Sequence, residues 1–363
     1  MKISAPHPVR TGTSLTVRFT ATALFLLAAA AAGVAFGAER IPFREIGNAL
    51  FRPAAADPFA AVIVRELRLP RVLLAGLSGA LLAGAGAAFQ GFFRNPLAES
   101  GIMGISSGAA LGAVLSAFIP AATGIAGAAE LASRFPQFMQ ANVTTVCAFC
   151  GAAAAAFLIY AASKLTARSG GTIAILLTGT AAGTFFSAVT SVVLLVKDTE
   201  LHRMFVWTLG SFNGKGWSEL AFVLPAAVLS AVLLAGCARF LDVLSGGERT
   251  AQALGLDPAH ARLLVLTAGS LASAAAVCAG GTIGFVGLIT PHVARRLFSP
   301  RHAVLIPASM MGGAVFLITC DTAARTVAAP AEIPVGIITA LAGAPFFISI
   351  LFGGRNRTGN FNE

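Results

Sequence analysis

The sequence predicts an all-α polytopic membrane protein with about ten transmembrane helices. Three observations carry that prediction. Hydrophobic residues make up 56% of the 363 positions and charged residues only 11%, whereas soluble domains average about 25% charged. A chain so poor in charge cannot cover a water-facing surface of its size, so most of it has lipid as solvent. The mean hydropathy of +0.83 points the same way. Finally, apolar runs recur along the chain at lengths near the about 20 residues that carry a helix across a bilayer.

Those runs fall at 18–38, 71–92, 104–126, 142–163, 171–196, 218–240, 262–282, 284–298, 302–323 and 333–352. The first has leader-like features, with Arg10 and Arg18 before it and Ala35-Phe36-Gly37 at its end. It exceeds the about 7–15 residues of a leader's apolar region, so a retained helix is expected. The eighth run is short and contains Pro291 and His292. The division is a tail at 1–17, one membrane domain at 18–352 and a tail at 353–363, with no room for a large soluble domain. Gly, Ala and Ser are abundant in the runs, which lets helix backbones approach closely. Gly79-Ala-Leu-Leu to Asn95-Pro96 echoes Gly269-Ser-Leu-Ala to Thr290-Pro291. With these spans the two copies run in opposite directions, a weak inverted repeat.

The net charge is +10. No basic patch interleaved with aromatics accompanies it, so nucleic-acid binding is not expected. Placing the N-terminus inside collects Arg94, Lys164, Arg168, Arg239, Arg249, Arg262, Arg295 and Arg296 on the cytoplasmic side and leaves Arg40, Arg44, Arg52, Arg134, Lys197, Arg203, Lys215 and Arg325 among those outside, a modest bias in the direction of the positive-inside rule. Arg65, Arg68 and Arg71 then form an outside cluster that breaks the rule. Cys147-Ala-Phe-Cys150 has CxxC spacing, but no histidine or second pair completes a metal site, so no metal is expected.

The stretch RNPLAESGIMGISSG, residues 94–108, separates two apolar runs and contains the G-x-S-x-G pattern of a hydrolase elbow. That elbow needs a strand before the serine, and here both flanks are membrane helices. An intramembrane serine hydrolase built from Ser106 or Ser107 with His292 is the distant alternative. Charges inside the spans are nearly absent. Asp321 lies near the end of the ninth, with Arg325 four residues on as an i,i+4 partner, and Glu332 opens the tenth. An ion-coupled carrier would need more intramembrane charge. No G-x-x-x-x-G-K-[ST] occurs, so ATP could drive this chain only through another subunit. SGGERTAQALGLDPAHARL, residues 245–263, reads as two short helices joined by a turn at Gly255, with Asp257 as N-cap and Pro258 at the first helical position. On these residues alone it is either a solvated loop or a docking surface.

RLPRVLLAGLSGALLAGAGAAFQGFFRNPLAESGIMGISSGAALG resembles the hallmark of FecCD-type permeases, the ferric-siderophore, cobalamin and haem permeases of ABC importers. GTIGFVGLITPHVARRL, CDTAARTVAAPAEIPVGIITALAGAPFFISIL and WTLGSFNGKGW resemble further family motifs, and the set spans residues 68–352. The resemblance implies a ten-helix subunit of the type II importer permease, not an enzyme. It implies a second permease copy around a central pathway, and an ABC ATPase below that holds ATP and Mg. A periplasmic substrate-binding protein would dock above. No cofactor is implied in this chain. The setting is the bacterial inner membrane with both termini cytoplasmic, and a ferric siderophore is the favoured cargo over haem or cobalamin.

Carried over by position, Arg68, Arg71 and Arg325 match arginines that meet acidic residues of the binding protein. Ala251, Leu254, Gly255, Leu256, Asp257, Pro258 and His260 match the coupling helices, about 246–262, that enter the ATPase. Gln90, Asn95, Pro96, Ser106, Ser107, Pro291 and His292 match the pathway and its turns, with Gln90 and Asn95 favoured as braces. Ser169, Gly170 and Gly171 match the gate. Two departures stand out. Gly280-Gly281-Thr282 stands where the family more usually has Gly-Pro, and the 121–141 connection is long and polar.

Overall fold

The computed structural model describes residues 14–118, 142–165, 171–196 and 201–358, and every regular element among them is helical. Helix α1 (Leu15–Ala35) starts at Ser14, whose hydroxyl accepts from the Val17 amide. A short amphipathic helix, α2 (Phe43–Phe51), turns Ile46 and Ala49 inward. Next, α3 (Pro58–Val62) runs through a π-helical turn (Ile63–Arg68) into α4 (Leu69–Phe93). After these come α5 (Ile105–Leu115), α6 (Val143–Leu165), α7 (Gly171–Val196) and α8 (Leu201–Thr208). The chain continues with α9 (Trp217–Ser245), α10 (Glu248–Ala253) and α11 (Pro258–Gly280). It closes with α12 (Val286–Leu297), α13 (His302–Thr326) and α14 (Val335–Thr358).

Seven of the described helices are long and apolar enough to cross a membrane, and two shorter apolar segments, Ile105–Leu115 and Val335–Ile350, accompany them. With α12 these match the ten expected runs in order. The differences lie at their ends. The second span begins at Pro58 rather than 71, because the π-turn carries the helix through the charged run Arg65-Glu66-Leu67-Arg68. The third is helical from Ile105 and ends in a 3-10 turn at Phe118, and the rest of the expected run lies outside the described residues. The last helix continues to Thr358, past the expected boundary at 352. At 12 residues, α12 rises about 18 Å against a hydrocarbon core of about 30 Å, so it is a half-helix.

Helix α4 is the axis of the bundle. Eighteen of its residues are buried, against α9, α11, α12 and α13. Small side chains make this possible. A Cβ on Gly79 would lie 2.2 Å from the Gly313 carbonyl oxygen, and one on Gly86 would lie 2.0 Å from that of Gly287. At these crossings the backbones themselves are in contact, which dispersion favours when lipid supplies no hydrophobic drive between helices. Phe89 fills the space over Gly269, while Phe92 packs near Ala261, so α4 and α11 run in opposite directions.

The crossing yields a prediction with an internal control. Gly313→Ala puts a methyl 2.2 Å from the Gly79 oxygen, whereas Gly312→Ala meets nothing within 4 Å. The first should lower stability by about 1–3 kcal/mol or more, and the second should leave it unchanged or slightly raised. Thermal unfolding of both variants in detergent checks the pair.

Candidate functional site: an arginine pocket, a hydroxyl-lined cavity and a glycine turn

Three regions gather the residues that the sequence singles out. The first lies where α1 ends. Its final carbonyls have no partners within the helix, and two guanidiniums supply them. Arg68 donates to the oxygens of Val34 and Ala35, at 3.0 and 2.8 Å, and also to that of Glu39. Arg325 donates to that of Gly33 at 2.9 Å. A cation at a helix C-terminus also meets the negative end of the helix dipole.

Arg71 completes the group. Its Nε and Nη2 reach Asp321 at 3.0–3.1 Å and its Nη1 reaches Glu332 at 2.8 Å. Asp321 also pairs with Arg325 Nε at 3.2 Å. The expected i,i+4 pair is therefore present, but the forked contact of Asp321 is with Arg71, 250 residues earlier. Residues from α1, α4, α13 and the entry to α14 are joined here. Arg68, Arg71 and Arg325 are only 4%, 8% and 3% exposed. They do not stand on an open surface. They line a pocket of about 270 Å³ whose wall also includes Glu39, Lys215 and Glu332.

The second region is the 94–108 stretch and its surroundings. Gln90 is buried and acts as a brace. Its amide donates to the Gly287 oxygen at 3.0 Å and its carbonyl accepts from Arg295 at 2.5 Å. Asn95 accepts from the Leu97 amide at 3.0 Å, closing a turn after Arg94, while Pro96 is exposed. Gly104 has φ +71°, and a Cβ there would strike the Gly179 oxygen at 2.6 Å. Its conformation and its contact both require glycine.

Ser106 and Ser107 open into a cavity of about 500 Å³ between α5, α7 and α8, and among the described residues no charged one lines it. His292 is not among its walls. The His292 ring meets Phe346 edge-on, with centroids 6.1 Å apart, and Pro291 is buried inside α12. Among the described residues no histidine or carboxylate shares that lining, so the Ser106/Ser107–His292 arrangement of the hydrolase alternative is not formed. Of the expected gate, Gly171 opens α7, and Ser169 and Gly170 lie outside the described residues.

The third region is the turn between α10 and α11. Gly255 has φ +80°. Its amide donates to the Gln252 oxygen at 2.9 Å, and the Leu256 amide donates to that of Ala251 at 2.9 Å. This is a Schellman closure, which needs a left-handed residue at that position. Ala251 is fully buried with Leu244 and Ala261, and Leu256 packs on them. The expectation that Ala251 offers itself to a partner is therefore corrected, because it holds the turn together from inside. Leu254, 70% exposed, is the apolar residue the turn presents. The expected N-cap, Asp257, is joined to His260 through its carboxylate. Pro258 is the first residue of α11, as expected.

Sequence reading missed several partners. Asp242 on α9 accepts from the backbone amide of His302 and lies 2.7 Å from its ring Nδ1, fixing the start of α13. The Arg295–Gln90 bond was equally unseen. Both join residues far apart in the chain, so spacing could not signal them.

Long apolar helices packed around a buried central helix, with an internal half-helix, define a multi-pass membrane protein. The chain belongs to the FecCD transport family, whose sequence model matches residues 23–353. It is thus a permease of the ABC importer class and not an enzyme. It is 41% identical over 80% of its length to the cobalamin import system permease protein BtuC of Halobacterium salinarum, covering 74% of that protein. It is 35% identical to the hemin transport system permease protein HmuU of Yersinia pestis, with 92% of this chain and 95% of that one aligned. Among solved structures, it matches a metal-chelate-type ABC transporter in an inward-facing conformation. That match has a TM-score of 0.77 and 30% identity, over 93% of this chain and 99% of the other.

The buried ion group generates the next prediction. Asp321→Asn leaves two buried guanidiniums facing a neutral group, and breaking a buried pair in this way costs about 3–5 kcal/mol. Glu332→Gln removes a partner whose side chain is 24% exposed, and water replaces much of it, so about 1 kcal/mol or less is expected. Unfolding midpoints of the two variants should differ accordingly.

Proposed function

We propose that this chain is the permease subunit of an ATP-driven importer that carries a ferric siderophore from periplasm to cytoplasm. The observation that carries the reading is the hydroxyl-lined cavity within a FecCD-family bundle, with no charge among its described lining residues. A bulky chelate must pass without sticking, and such a wall suits that task. Two copies of the chain in the inner membrane would enclose the pathway between them, with both termini cytoplasmic and lipid around the outside. Cobalamin and haem are the competing cargoes, supported by the two relatives above.

Energy would come from a separate ABC ATPase holding ATP and Mg, since no phosphate-binding loop occurs in the chain. The turn that presents Leu254 is its contact in this reading. A rigid Schellman closure suits that role, because a stiff turn transmits motion of a bound partner into α9 and α11. At the other end, a periplasmic binding protein would dock over the arginine pocket. Its carboxylates would have to enter the pocket and compete with Glu332, the more exposed of the two acids paired with Arg71.

Three measurements test this. In a strain lacking only this gene, uptake of radioiron as a ferric siderophore should be lost, while haem and labelled cobalamin uptake stay normal. Loss of one of the other two instead names a different cargo. Leu254→Asp should release the ATPase on purification without unfolding the permease, and a full complement of ATPase would contradict the coupling role. Glu332→Gln frees one face of Arg71 and should tighten binding-protein docking severalfold at low salt. Unchanged docking would remove the pocket from the interface.

A further inference from the structure

The outer face of the bundle changes character between α7 and α6. The exposed positions of α7 include Thr180, Thr184, Ser187 and Ser191, whereas those of α6 include Ala153, Ala154, Phe157 and Leu158. Beside this apolar face, α6 and α11 form an open groove of about 330 Å³. Its lining runs from Phe149 to Tyr160 on α6 and from Leu263 to Ala274 on α11, each a rise of about 16 Å. Cys150 lies near Cys278, so the two helices run antiparallel. Tyr160 and Leu263 thus stand at one end of the groove, and Phe149 and Ala274 at the other. Three hydroxyls, those of Tyr160, Thr267 and Ser270, interrupt a wall that is otherwise hydrocarbon. The core of a bilayer is about 30 Å thick, so a groove of this length matches a single leaflet.

The chemistry changes at the Leu263 end. Tyrosine favours the boundary between bilayer and water, and Tyr160 stands there. Arg262 precedes Leu263 by one residue and Leu266 by one turn, and both leucines belong to the wall. Its Nε is buried and has no hydrogen-bond partner. Lys164 follows one turn after Tyr160 on α6. Cations between helices at the membrane boundary hold acidic head groups, and a guanidinium meets a phosphate through paired hydrogen bonds. A second copy of the chain suits the groove less well. A two-fold contact through this face sets Arg262 and Lys164 of both copies at the same depth, like charge beside like.

We propose that the groove between α6 and α11 is a binding site for one anionic phospholipid, with an acyl chain along the apolar wall and the phosphate at Arg262. The lipid belongs to the leaflet that bathes the Leu263 end, which is the cytoplasmic one in the orientation proposed above. The site itself needs neither cargo nor ATPase. Its occupant braces the start of α11, the helix that leads out of the turn presenting Leu254.

The test reconstitutes the full-length permease in vesicles of phosphatidylcholine and phosphatidylglycerol in equal parts. The protein is then extracted into detergent, and the lipids that stay bound are counted by mass spectrometry. The parent should keep about one lipid per chain at this site, with phosphatidylglycerol favoured over phosphatidylcholine by about fivefold or more. Ala153→Phe fills the groove and should remove that lipid. Ala154→Phe adds the same ring at an exposed position outside the lining and should leave it in place. Arg262→Gln should keep a lipid but lower the preference for phosphatidylglycerol by about fivefold. Should Ala153→Phe fail to fold, Leu263→Glu, at the open rim, sets a negative charge beside the phosphate and should also empty the site of phosphatidylglycerol. Equal retention of the two lipids by the parent would overturn the proposal. So would a groove-filling variant that holds as much lipid as the parent, or an Arg262→Gln preference that is unchanged. Disulfide formation between two copies through Ala153→Cys would assign the groove to a second chain and overturn it as well. Retention is read without transport, so failure of the uptake experiments above leaves this result standing.

Discussion

The bundle depends on backbone contact along α4. In water, helices associate because apolar faces leave solvent. In lipid that gain vanishes, and close packing has to replace it. Gly79 against Gly313 and Gly86 against Gly287 bring main chains to a separation that no side chain would permit. The consequence reaches well beyond α4. Because α12 lies against Gly86, its N-terminal end is held deep in the bundle. Gln90, one turn further along α4, then braces both the Gly287 oxygen and Arg295. The turn of residues 94–104 follows directly from the end of α4, so the same contacts set where the cavity behind Ser106 and Ser107 opens.

The arginine group answers a second problem of the same environment. Helix α1 would end with bare carbonyls beside buried structure, and three arginines would be costly to bury alone. Each cost offsets the other. Arg68 and Arg325 complete the α1 terminus, while Asp321 and Glu332 balance the guanidiniums. This arrangement also accounts for the cluster that broke the positive-inside rule. Arg68 and Arg71 face inward to partners, and only Arg65 of the three is exposed.

Much of this was legible in the sequence, and the limits have physical causes. Composition and run length sufficed for the helical membrane class and for ten segments in order, because a bilayer imposes one length scale on all of them. The turn at Gly255 was legible because it depends on local chemistry, whereas the partners of Gln90, 197 and 205 residues away, emerge only from the fold. The second span's start was misplaced because charge was read as a boundary, while the π-turn buries Arg68 and lets the helix continue. The helices α2 and α8, at 9 and 8 residues, fall below any span-length window. Ala251 was taken for a surface residue, since an alanine on a short helix gives no sign of which side it faces. The Arg71–Asp321 and Asp242–His302 contacts join distant segments and emerge only from the fold.

The account stands on the exposed hydroxyl face of α7 lining a water-filled path rather than lipid. Serine and threonine that bond back to their own helix are also tolerated in hydrocarbon, so access of a charged reagent is what separates the two. Thiol labelling does. Ser187→Cys, in a chain whose own cysteines are replaced, would be exposed in membranes to a charged, membrane-impermeant maleimide, with Phe157→Cys as the lipid-facing control. The account predicts rapid labelling at 187, changing on addition of ATP with the ATPase present, and none at 157. Labelling at 187 as slow as at 157 would place that face in lipid and contradict the pathway.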